Sequence, residues 1–193
     1  TFTEDVAPIV FGNCVQCHRP GEAAPFPLLS YKDVRKRGRN LLAAVEEGFM
    51  PPWHPTPGYG VFRHEMRLTE AEKKTLRSWV KGGMPKGPPE KLPTKPVFTD
   101  GWQLGEPDLV VEYPTHLVPA EGPDIFGNLY ASVDLDEDRY IKAIQTKPAD
   151  DRTRLVVHHT NAFAIFADEE AGDGMEAEQH LVEYASGKNA EIY

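Results

Sequence analysis

Cys14-Val15-Gln16-Cys17-His18 is the stretch whose residue types and spacing point most directly to chemistry. Two thiols three positions apart, with a histidine directly after the second, form C-x-x-C-H, the attachment signature of a c-type haem. On a turn or helix start, each thiol can form a thioether with a haem vinyl group. His18 then lies under the iron as proximal ligand. Other uses of the pair stay open on the residues alone. A thioredoxin-like couple wants a βαβ setting, a zinc site wants a second pair of ligands and no second C-x-x-C is present, and a disulfide across so tight a loop leaves His18 incidental. A haem would also need a sixth ligand, for which Met50, Met66, Met84, His54 and His64 are candidates. Met50 stands out because Pro51-Pro52 fix an extended backbone that can hold its sulfur toward the iron without helical hydrogen bonds. His54 ranks next. Met66 precedes a helix cap and Met84 follows a helix end, positions better suited to packing or exposure.

A second constellation lies in Leu155-Val156-Val157-His158-His159-Thr160-Asn161-Ala162-Phe163. Neighbours on a regular strand face opposite sides, so the two rings diverge unless a bulge turns them together. The pair is either structural, one ring in the core and one in solvent, or a copper site, since imidazole suits that metal.

Three short helices are expected to position the cysteines. Thr3 can cap the first, running toward Phe11 with Glu4 and Asp5 in its first turn. Ser30 and Asp33 open the second, whose apolar stripe of Val34, Leu41, Leu42 and Val45 runs to Gly48. Thr69-Glu70-Ala71-Glu72 is a capping box for the third, with Leu76, Trp79 and Val80 on one face before Gly82-Gly83. So few short helices make a thin apolar core, and a buried haem would thicken it.

The histidine pair falls in a different kind of sequence. Asp108–Tyr113, Leu129–Val133, Tyr140–Thr146 and Leu155–Phe166 are β-branched or aromatic runs between Pro, Gly and Asp clusters, the pattern of a sandwich or part of one. Asp168–Glu178 reads as a solvated acidic loop. The stretch from Gly82 to Pro96 is rich in Gly and Pro and can continue neither helix nor central strand. The expected organisation is therefore α+β and multidomain: an all-α domain over 1–84, a linker over 85–100 and a β-sandwich-like region, incomplete as it stands, over 101–193.

The chain has 193 residues, two cysteines, and 21 Lys+Arg against 30 Asp+Glu. A net charge of -9 argues against nucleic acid, whose phosphates call for Lys and Arg. The imbalance is uneven. Residues 1–100 hold 15 Lys+Arg and 11 Asp+Glu, and residues 101–193 hold 6 and 19. The acidic half could steer or dock a redox partner. No apolar run is long enough to span a bilayer, and no signal-peptide pattern stands at Thr1, so a mature or trimmed product is expected.

Cys14 to His18, then Met50-Pro51-Pro52, then a last helix to Val80 resembles a small bacterial class I cytochrome c. That resemblance implies His18 as proximal and Met50 as distal ligand of a single covalent haem c, with Cys14 and Cys17 as its thioethers. Adding Arg19-Pro20-Gly21-Glu22, Trp53, Gly101-Trp102-Gln103-Leu104-Gly105-Glu106-Pro107-Asp108 and Val156-Val157-His158-His159, nearly the whole chain is similar to bacterial proteins that fuse a cytochrome c to a copper type II, ascorbate-dependent monooxygenase-like region. The resemblance implies copper ligands at His158 and His159, a third ligand on a later strand that His180 does not match, and relatives that continue beyond the point where Tyr193 falls. A fragment of a longer protein, or a shortened relative without copper chemistry, is expected. It also implies an extracytoplasmic, periplasmic setting and redox proteins as electron donor and acceptor. Electron transfer is the first expectation, with the electron-feeding part of a copper monooxygenase as the alternative.

Overall fold

The computed structural model describes residues 1–22, 24–62, 65–99, 101–165, 179–185, 187–188 and 190–193. The chain is a mixed α+β protein that divides into two compact units, Thr1–Val97 and Phe98–Tyr193.

The first unit is helical. A π-helical turn, Phe2–Val6, runs into α1 (Ala7–Asn13), followed by α2 (Tyr31–Glu46) and α3 (Glu70–Lys81). Thr3 is not the cap that its type suggests. It sits inside the opening turn, 2% exposed, and its buried hydroxyl has no hydrogen-bond partner. The chain end is capped by main chain instead, since the Phe2 and Thr3 N–H groups donate to the carbonyls of Pro85 and Lys86 at 2.9 and 3.0 Å. That contact draws the start of the 85–100 stretch onto the helices, and the chain divides near the far end of that stretch, after Val97.

Ser30 caps α2 by accepting from the Asp33 N–H at 3.2 Å, and Val34, Gly38 and Val45 form its buried stripe. The α3 capping box is complete. Glu72 N–H donates to Thr69 Oγ1 at 3.2 Å and Thr69 N–H to Glu72 Oε2 at 2.7 Å. Leu76 and Trp79 are its buried residues. α3 packs on α2 and on the opening turn, where the Phe2 ring lies 5.5 Å from Tyr31 and 6.2 Å from Trp79. The Trp79 indole N–H and the Tyr31 hydroxyl donate to the Pro85 and Met84 carbonyls, both at 2.9 Å.

In the second unit the described residues form β1 (Ala143–Ile144), α4 (Asp151–Arg154), β2 (His159–Ala164), β3 (Gln179–Ala185) and β4 (Glu191–Ile192). They pair as two antiparallel ladders, β1 with β4 and β2 with β3. Gln103 ties down the first, accepting from Ala190 N–H while its own N–H donates to Gln145, both at 2.8 Å. Lys188 bridges Glu183 on β3 and Glu191 on β4 at 3.2 and 2.5 Å.

Strand content differs from the sequence reading. Asp108–Tyr113 and Leu129–Val133 lie outside the ladders, with Leu109, Val110, Val111 and Leu129 exposed, because β-prone runs become strands only where a partner supplies the missing hydrogen bonds. Tyr140–Thr146 narrows to Ala143–Ile144, and Leu155–Phe166 contributes a strand only from His159. β3, by contrast, was not anticipated, although Val182 and Tyr184 are buried at alternate positions. Asp168–Glu178 lies outside the described residues.

Candidate haem site and the histidine pair

α1 ends at Asn13, and the chain closes one more turn over the cysteines. His18 N–H donates to the Cys14 carbonyl at 2.9 Å and Cys17 N–H to the same carbonyl at 3.3 Å. Val15, 1% exposed, anchors this turn in the core. Residues 14, 17 and 18 stand at i, i+3 and i+4, which a helical turn gathers on one face. Arg19 braces the segment that follows, with one guanidinium nitrogen donating to the Gln16 carbonyl and the other 2.8 Å from Glu22.

Burial pushes the Cys14 thiol up to about 12, with Cys17 and then Glu72 adding repulsion against a thiolate. Cys17 is also raised, by burial and then by Glu22 against the opposing pull of Arg19. Both are free thiols. Both thiols are therefore held in the protonated form by burial.

The His18 ring is held by main chain. Nδ1 lies 3.1 Å from the Phe26 carbonyl, and Leu28 N–H returns to the His18 carbonyl at 2.9 Å. A carbonyl only accepts, so Nδ1 carries the proton and Nε2 presents a lone pair, the arrangement of a ligand histidine. The Phe26 ring sits 4.7 Å from the imidazole, and the Arg37 guanidinium caps Phe26 at 4.0 Å. Neither Phe26 nor Arg37 stood out by residue type. Pro25 and Pro27, which restrict the backbone on both sides of Phe26, were the available signal.

Met50 stands on a separate segment, the turn that closes α2, where its N–H donates to the Ala44 carbonyl at 3.0 Å and the residue is 44% exposed. Phe49, Tyr59, Phe62 and Met66 are exposed on the same 49–66 stretch. Amid this apolar surface the Trp53 indole N–H is buried without an acceptor, its ring edge-on to Phe62 at 5.5 Å. Arg67 holds the stretch to the start of α3 by donating to the Pro55 carbonyl at 2.6 Å. His54 is exposed, and His64 lies outside the described residues. Met84 is committed to packing, since a Cβ on Gly38 of α2 would meet its sulfur at 2.5 Å.

His158 follows the turn after α4 and His159 opens β2. Their Nδ1 atoms are 3.4 Å apart, so both rings turn to one side. The bulge that sequence reasoning asked for is present but lies at Ala162/Phe163. It is the strand's beginning at His159 that frees His158 from alternation. The pair borders an open pocket of about 490 Å³ with Asn161, Glu183, Tyr184 and Ala185. His180 pairs with Phe163 at the other end of the ladder, five residues along β3 from Ala185, the partner of His159. At about 3.4 Å per residue it is roughly 17 Å away. Among the described residues no group of three or more His, Cys, Asp or Glu is placed to hold a metal ion.

No family model, curated protein or solved structure matches the chain.

Proposed function

We propose that the first unit is a class I-type cytochrome domain carrying one covalent haem c, and that its function is extracytoplasmic electron transfer between redox proteins. The observation that carries this reading is the His18 Nδ1 contact with the Phe26 carbonyl at 3.1 Å, beside two cysteines on the same turn. The other residues fit the group. The Cys14 and Cys17 thiols would add across the two vinyls, each S–H hydrogen passing to a vinyl carbon as the C–S bond forms, with no oxidant required. His18 and Met50 would hold the iron. The apolar 49–66 stretch would cover a ring face, and the Trp53 N–H would find its acceptor among the haem's polar edges. When bound, the haem would supply a one-electron Fe(III)/Fe(II) couple, and a histidine and methionine ligand pair favours a high potential. The chain's part is to fix the His18 imidazole through main chain, with the Phe26 ring against it. The reading is tested by the reduced absorption spectrum, expected to show a low-spin haem c α-band that His18→Ala abolishes. A protein with no covalent haem would contradict it.

A second reading takes its support from the same-side placement of His158 and His159 over the pocket: the second unit, sandwich-like in this view, binds copper and the haem feeds electrons to it. Metal analysis decides it. Copper at one equivalent, lost in His158→Ala, is the expected result. Copper absent, or unaffected by that substitution, removes the reading.

A further inference from the structure

Of the arginines on α2, Arg35 and Arg39 are exposed and Arg37 is half-buried. Arg37 stands one turn after Val34 and next to Gly38, on the edge of the helix's buried stripe. It forms no ion pair with a described residue. A cation drawn out of water without a counter-charge is costly unless another group faces it. Here that group is the Phe26 ring, whose centre lies 4.0 Å from the guanidinium carbon.

Phe26 meets His18 twice. Its carbonyl lies 3.1 Å from His18 Nδ1, and its ring centre 4.7 Å from that of the imidazole. Pro27 confines the Phe26 backbone to extended conformations, so the ring and the carbonyl of that residue cannot move far independently. Pinning one pins the other. The segment is also tied to the cysteine turn by main chain, with Leu28 N–H donating to the His18 carbonyl at 2.9 Å and Ala24 N–H to the Cys17 carbonyl at 3.3 Å. The Arg37 contact joins the same segment to α2.

We infer that Arg37 is a positioning residue for His18: by holding Phe26 it keeps the Phe26 carbonyl on Nδ1 and leaves Nε2 as the atom that takes the haem iron, an inference that rests on the haem reading above. A ligand histidine needs its other ring nitrogen engaged, and a carbonyl that drifted away would let the proton move to Nε2 and close the ligand position.

The test uses the unloaded full chain, with haemin as the probe. At about pH 8.5, where imidazole is neutral, nitrogen-15 NMR reads which ring nitrogen of His18 carries the proton. Wild type is expected mainly as the Nδ1–H form. Arg37→Gln lowers the ratio of Nδ1–H to Nε2–H by about fivefold, and Arg37→Lys, which keeps a cation, restores most of it. Haemin affinity falls by the same factor as the Nδ1–H fraction, because only that form is competent to ligate. In Phe26→Leu the ratio is already low, and adding Arg37→Gln lowers it no further. Helix content stays that of wild type throughout, so a merely structural arginine would move stability and leave the ratio alone. An unchanged ratio in Arg37→Gln, or an equal fall with and without the Phe26 ring, overturns the role of Arg37 alone. Haemin affinity lost with the ratio intact would make Arg37 a direct contact of the haem carboxylates, and overturns it too. A wild-type chain that binds no haemin, while its ratio still responds to Arg37, overturns the haem reading and the inference with it.

Discussion

Burial at Cys14 favours the protonated thiol over the thiolate, and burial at Trp53 leaves an indole N–H without an acceptor. A thiol held up to about 12, against an ordinary 9.0, keeps its proton in the folded chain while the unfolded chain loses it above pH 9. The folded-state value is raised, so its contribution to stability is whole below pH 9 and is lost as pH climbs toward 12. Unloaded protein should therefore lose stability over that window in denaturant titrations, and Cys14→Ala should lessen the loss. A thioether has no proton, so the loaded protein should lack this component. Trp53→Phe separates the two states as well. An orphaned buried N–H costs about 1–3 kcal/mol, so the substitution should leave unloaded protein unchanged or up to about 1 kcal/mol more stable. It should destabilise the loaded form by about 1 kcal/mol, as a lost hydrogen bond does. Equal effects in both forms would detach Trp53 from the haem.

At the scale of elements, α2 and α3 are the parts on which the first unit depends. Thr69→Ala removes the acceptor for Glu72 N–H and breaks the capping box, so a loss of about 1 kcal/mol is expected by thermal or chemical denaturation. Gly38→Val drives side-chain carbon into the Met84 sulfur and toward Trp79, and should cost about 1–3 kcal/mol, part of it recovered when Met84→Ala is added. These two helices were legible because their caps and apolar stripes lie within one short window of sequence. So was the turn over Cys14 and Cys17, because its residues stand at i, i+3 and i+4. The strands were not. Leu109-Val110-Val111 and Val182-Glu183-Tyr184 are both β-prone, and only the second finds a partner, a matter settled by residues far along the chain. Thr3 misled for the same reason, since carbonyls of Pro85 and Lys86 perform the capping that its hydroxyl was expected to do. The brace on His18 escaped notice because a backbone carbonyl carries no signature of residue type.

Taken whole, the molecule joins two units of opposite character. Residues 1–100 carry 15 of the 21 Lys+Arg and the cysteine turn, and residues 101–193 carry 19 of the 30 acidic residues and the histidine pair. The first unit leaves apolar side chains of its 49–66 stretch in solvent next to a buried N–H without an acceptor, a surface that a large apolar group with polar edges would complete. The second ties down its first ladder through Gln103, links the two ladders through Lys188 and turns both adjacent histidines toward one pocket. Electron transfer needs only the first of these features, and copper chemistry would need both. The account as a whole rests on covalent haem at Cys14 and Cys17. The measurement that tests it most directly is the mass of the denatured chain after acidified acetone extraction, made on protein produced in cells that attach haem c. A gain of one haem, reduced to none in Cys14→Ala/Cys17→Ala, is the predicted result. A mass equal to that of the bare polypeptide in the unsubstituted protein would contradict it.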